Sequence, residues 1–211
     1  MSDGSVKNNH QEQYDEYQNF SFHPKNILLI LLLISLTGLF LSLSAAFVYA
    51  RVQNNQPPIK LPNIFVLNTL ILLASSATMV WAKRSYKADR TLNYQRALVA
   101  TMALSVVFMI AQYFGWRALF NQDIFINSSN AAGYLYVISG LHFAHVIGGL
   151  PFLGFFLWRA HKEMKEPITV LVYFSDPEKR LRLRLLTIYW HFLDGLWIYL
   201  VLFFWVNYLI R

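Results

Sequence analysis

The chain has 211 residues, 56% of them hydrophobic and 14% charged, with a formal net charge of +7 and no cysteine. Soluble domains run at about 45–50% apolar and about 25% charged, so this composition belongs to a membrane protein. The lack of thiols excludes disulfides, thiolate metal sites and cysteine nucleophiles together.

Residues 1–25 read as a polar tail and 26–211 as the membrane domain. The tail has no basic stretch leading into a short apolar segment and no small-residue cleavage signal, so the first apolar run is expected to remain as a true span. Crossing a hydrocarbon core of about 30 Å takes about 20 helical residues. Five stretches meet that length, at 26–50, 64–81, 97–120, 132–158 and 185–210. They are solid apolar blocks, as over 27–34, without the alternation that barrel strands require. The expected fold is therefore all-α: a polytopic membrane protein with five transmembrane helices in one bundle.

Lysine and arginine resist translocation, so the loops that hold them set the topology. One side would carry Lys7 and Lys25, then Lys83, Arg84, Lys87, Arg90 and Arg96, then Arg159, Lys162, Lys165, Lys179, Arg180, Arg182 and Arg184. The other keeps only Arg51, Lys60, Arg117 and Arg211. The expectation is a cytoplasmic N-terminus and an outer C-terminus. Basic residues spread over helix ends, with no base-stacking surface beside them, do not make a nucleic-acid interface. Pro57, Pro58 and Pro62 mark an outer turn, and Asn127-Ser128-Ser129 reads as turn chemistry in the next outer loop.

The polar residues inside the apolar runs carry the most information. Along the second run, Ser75, Ser76 and Thr78 form a small, weakly polar strip suited to helix contact. On the fourth, His142 and His145 share a face one turn apart, while Gly140, Ala144 and Gly148 repeat small side chains that allow close backbone approach. Pro151 removes a backbone donor just beyond. The fifth run holds His191 and Asp194 within Tyr189-Trp190-His191-Phe192-Leu193-Asp194-Gly195-Leu196-Trp197. An imidazole and a carboxylate in hydrocarbon are costly unless they satisfy each other or face a protein partner.

At a rise of about 1.5 Å per residue, His145 lies about 20 Å below the outer face and Asp194 about 13 Å above the inner one. Both fall in the cytoplasmic half, which predicts one interhelical cluster of His145, His191 and Asp194, with His142 nearer the midplane. A metal site would need three or four converging donors, and only His191 and Asp194 could complete the histidine pair. An ion or metal transporter built on His145, His191 and Asp194 is the reading from a different class, although no internal repeat supports it. Trp81, Trp116, Trp158, Trp190 and Tyr208 sit near the ends of runs, where amphipathic rings suit the interface. No glycine-rich phosphate loop or serine nucleophile with a positioned base is present. Buried polar groups without a complete active site suggest a subunit of a larger assembly.

Three stretches resemble subunit III of the haem-copper respiratory oxidases. They are Leu61-Pro62-Asn63 followed by Leu67-Asn68-Thr69 and Leu72-Leu73-Ala74-Ser75-Ser76; Ser139 through Gly149 with its His142-x-x-His145; and Tyr189-Trp190-His191-Phe192-Leu193-Asp194 with Trp197. The resemblance implies a subunit without its own haem or copper, those cofactors lying in partner subunits. It also implies packing against subunit I, with subunit II and small subunits in the same complex, phospholipid binding, and support of proton uptake. Many members have seven helices, and this chain resembles the shorter five-helix form, which fits a bacterial inner membrane. Cytochrome c is the electron donor of the commonest members; a quinol oxidase or a nitric oxide reductase-associated subunit III is the alternative. Three departures stand out. Leu36 follows Ser35 where the family often has an acidic residue, Gly115 and Trp116 replace a frequent Glu-Tyr, and Arg184 stands where mitochondrial-type members tend to carry glutamate.

Overall fold

A computed structural model describes residues 24–54, 58–164 and 167–210. Among the described residues six helices follow one another: α1 (Pro24–Gln53), α2 (Ile64–Lys87), α3 (Thr91–Phe120), α4 (Asn130–Glu163), α5 (Pro167–Ser175) and α6 (Pro177–Leu209). All but the nine-residue α5 are long and apolar enough to cross a membrane. The five expected spans are present, and four of the helices run well past them. The apolar reading stops at the first charges, whereas the backbone ladder continues through the interface, where lysine and arginine stems can reach headgroup depth. Most of the 1–25 tail, Pro57, Lys165 and Arg211 fall outside the described residues.

Helix ends follow local chemistry. Asp176 caps α6, accepting from the backbone N–H groups of Glu178 at 2.9 Å and Lys179 at 3.4 Å, with Pro177 in the first turn. Ser129 caps α4 through the Ala132 N–H at 3.1 Å, and the Ser128 hydroxyl donates to Phe125 O at 2.8 Å, so Asn127-Ser128-Ser129 does serve as turn chemistry. Between α2 and α3 the chain reverses through Asp89 at φ 53°, a left-handed conformation that aspartate tolerates.

The α2 and α3 pair makes the most extensive helix contact, α6 packs on α2, and α4 joins α3 to α6. The first helix packs chiefly on α4 and α6. Two apolar clusters fill the interior. At the end opposite most of the basic residues, Phe40, Phe47, Phe65, Phe108 and Phe204 gather around Trp197; at the basic end, Met79, Tyr86, Tyr94, Leu98, Leu153 and Tyr173 gather near Trp190. The outer surface is also apolar, with Leu28 69%, Ile34 63% and Phe152 66% exposed. Such a surface is stable where lipid replaces water.

The basic end is held by ion pairs. Lys25 and Arg182 both reach Glu178, at 2.5 and 2.6 Å, tying the first turn of α1 to that of α6. Lys179 reaches Glu163 at 2.5 Å and lies 4.3 Å from the Tyr173 ring. Burial pushes the Tyr173 phenol up, which keeps it neutral beneath that cation. At the other end the Arg51 guanidinium donates to the carbonyls of Asn207 and Ile210, closing α1 onto the last turn of α6.

Candidate functional site

The polar side chains of the helices meet in three places. Toward the basic end, α2 offers Ser75 and Ser76 side by side, and α6 answers with Trp190 and His191, also adjacent. Trp190 Nε1 donates to Ser75 Oγ at 3.2 Å, and Ser76 Oγ lies 2.7 Å from His191 Nδ1. The Asp194 carboxylate, one helical turn further along α6, is 4% exposed, and its Oδ2 has no hydrogen-bond partner among the described residues. Beside Ser76, Thr78 and Thr101 join α2 to α3 at 2.9 Å. The strip at Ser75, Ser76 and Thr78 is thus a line of interhelical hydrogen bonds.

The middle layer is His142, fully buried against Trp197, with ring centroids 5.0 Å apart, and against the edge of Phe108 at 5.9 Å. The third layer is Asn68 on α2 and Gln112 on α3, both fully buried, with Asn68 Nδ2 donating to Gln112 Oε1 at 2.7 Å. Nearby, Trp116 Nε1 donates to Ser139 Oγ at 3.1 Å, joining α3 to α4. Thr69 turns back onto its own helix, donating to Phe65 O at 3.0 Å.

Two expectations need correction. The predicted cluster divides: His191 meets Ser76, whereas His145 Nδ1 pairs with Leu141 O of its own helix at 2.7 Å and its ring meets Phe40 of α1. Axial rise gives a residue's depth and leaves its direction around the helix free, and His145 turns toward α1. What links it to α6 is its backbone, since the Tyr189 hydroxyl donates to His145 O at 3.0 Å. The small-residue stripe is also displaced. Among the described residues nothing comes within 4 Å of a Cβ built on Gly140 or Gly148, and Ala144 is exposed. The close approach occurs at Gly149, where an added Cβ would sit 3.0 Å from both the Trp190 and Tyr189 rings. Trp190, expected at the interface, is 2% exposed because it fills this gap.

Gly149, Gln112 and the Arg51 closure escaped the sequence reading. For Gln112 a signal existed, a carboxamide within the apolar run 97–120. Gly115 has its own explanation, since a Cβ there would meet Phe65 Cε2 at 3.3 Å. The space that a larger residue would take is filled by Phe65, which stacks on Trp197. Among the described residues, no three His, Asp or Glu side chains converge as a metal site.

These features define a class: a polytopic helical membrane protein in which intramembrane polar groups such as Ser75, Asn68 and Gln112 join its own helices, while both ring nitrogens of His142 have no hydrogen-bond partner among the described residues. Comparison with known proteins narrows the class. The family profile of cytochrome c oxidase subunit III matches residues 21–208. The chain belongs to that family. It is 30% identical over 149 residues to cytochrome c oxidase subunit 3 of Yarrowia lipolytica, which covers 70% of this chain and 50% of that one. Cyanobacterial relatives of the same name align more fully: that of Synechocystis is 26% identical over 81% of this chain and 70% of its own length, and that of Thermostichus vulcanus 27% identical over 82% of each. The chain spans about half the length of the Yarrowia relative.

Proposed function

We propose that this chain is the non-catalytic subunit III of a cytochrome c-type terminal oxidase in a bacterial inner membrane. Its N-terminus faces the cytoplasm and its C-terminus the outside. In this role it packs against subunit I, in a complex with subunit II and small subunits that carries the haem and copper, stabilises subunit I, holds phospholipid and supports proton uptake at the cytoplasmic face. The observation that carries the reading is the use of the family's motif residues as joints. Ser75 and Ser76 meet Trp190 and His191 across α2 and α6, so these groups hold one helix arrangement. The contribution of such a chain to the reaction is shape: a bundle fixed from within, presenting an apolar face to neighbours.

The test is purification of this chain by a tag from native membranes in mild detergent, with a reduced-minus-oxidised optical spectrum and an oxygen-consumption assay of what accompanies it. A co-purifying haem spectrum with oxygen uptake from reduced cytochrome c is the expected result. Uptake from quinol alone assigns the chain to the quinol oxidase branch instead. A colourless chain purified alone, while oxidase persists in the same membranes, overturns the proposal.

A further inference from the structure

The basic end of the bundle holds more cations than carboxylates, and two sets of them stand out. Lys25, Arg159, Lys179 and Arg182 are each paired with Glu163, Asp176 or Glu178. A second set faces a cavity of about 660 Å3 between the end of α2 and the start of α6: Lys83 and Lys87 from one helix, Arg180 and Arg184 from the other. Each pair is spaced i, i+4, so it stands on one face of its helix. No carboxylate lines the cavity, and Lys83, Lys87 and Arg180 have no ion-pair partner among the described residues. Lys83, Lys87 and Arg180 around one concavity repel each other unless an anion enters, the concavity focuses their field on it, and Arg184 is a fourth cation in the lining.

The walls identify the kind of anion. Tyr86 and Phe174 line the cavity beside the four cations, with leucines of α6. An apolar wall next to a phosphate-sized concentration of charge suits an amphiphile better than a fully hydrated ion. The site also lies at headgroup level: Lys83 follows two residues after Trp81, whose ring is 41% exposed on the apolar surface of α2. We propose that this cavity binds the phosphodiester headgroup of an anionic phospholipid, with Lys83, Lys87, Arg180 and Arg184 around the phosphate and Tyr86 and Phe174 against the glycerol and first acyl carbons. This deepens the lipid-holding role given above and rests on that reading only in requiring the chain to span a membrane. The bound lipid neutralises the gap between α2 and α6 and so adds a joint between the same two helices that Ser75 and Ser76 connect deeper in the bundle.

The experiment uses the assembly as purified from native membranes, placed in phosphatidylcholine nanodiscs with trace spin-labelled phosphatidylglycerol. The immobilised fraction of label is read as unlabelled phosphatidylglycerol is added. The expected result is an immobilised population that unlabelled phosphatidylglycerol displaces and millimolar inorganic phosphate does not. At about fivefold per cation near a membrane surface, the double variant Lys87→Gln/Arg180→Gln weakens retention about twenty-fivefold. Both residues are exposed, so the fold does not depend on them. Lys162→Gln, at the same end but outside the cavity, leaves retention unchanged. Three outcomes overturn the proposal: equal retention by the double variant, equal retention of spin-labelled phosphatidylcholine, or displacement by inorganic phosphate, which would make the cavity a soluble-anion site. If the chain purifies without haem-bearing partners, the oxidase reading fails while the same titration still decides the lipid site.

Discussion

Placing one leucine at two neighbouring glycines of α4 tests how the bundle is closed. Gly148→Leu projects into open space, since nothing in the chain lies within 4 Å of its Cβ position. Gly149→Leu starts from a Cβ already 3.0 Å from both the Trp190 and Tyr189 rings. Both variants gain the same helix propensity, so their difference isolates the contact. Overpacking a filled interface costs about 1–3 kcal/mol. Displacing the two rings also breaks the Trp190 bond to Ser75 and the Tyr189 bond to His145 O. At about 0.6 kcal/mol for an interhelical hydrogen bond in a membrane, these bring the difference to about 2–4 kcal/mol. For a chain of this size, about 2–4 °C per kcal/mol puts the Gly149→Leu midpoint about 4–16 °C below that of Gly148→Leu. The chain has no native cysteine and Ala82 is fully buried, so Ala82→Cys with a thiol-reactive dye reports unfolding of the full chain in mild detergent. Coincident midpoints, or a lower midpoint for Gly148→Leu, would refute the reasoning.

The Asn68 and Gln112 pair should behave as a cycle. Either single change to leucine leaves the other buried carboxamide unsatisfied and costs about 1–3 kcal/mol, whereas the double change restores much of the loss, as the same dye assay reads. Additive losses would remove the direct bond from the account. Asp194→Ala deprives Ser76 and His191 of their carboxylate neighbour, so assembly yield and activity after sustained turnover are expected to fall while the initial rate of electron transfer stays near wild type. A complex unchanged after prolonged turnover would count against that role.

What the sequence made legible was whatever depends on position along a helix axis. Span number followed from apolar length. Direction around the axis was not legible in the same way, because the outer surface is as apolar as the core and no polar face marks the lipid side. His145 was therefore assigned to the wrong neighbours, and the stripe Gly140-Ala144-Gly148 was preferred over Gly149. Only the identity of the opposing side chains, two rings on α6, selects the second glycine. Helix ends were misread for a different reason. Asp176-Pro177-Glu178 carries a complete start signal for α6, yet a hydropathy reading begins the span only beyond Arg184, where charge ends.

The Arg51 closure also bears on the order in which this protein is built. The first helix enters the membrane before any of its main partners exists, since α4 and α6 are made later and the carbonyls that receive the guanidinium belong to Asn207 and Ile210. In the meantime the α2 and α3 pair can close on its own through a three-residue turn. Packing therefore does not follow the order of synthesis: α1 waits in lipid until α4 is made, and its closure onto α6 comes last. A ribosome that stops before the final turn of α6 leaves a chain with every span in place and its first helix unlatched, a state that a membrane protease can recognise as unfinished.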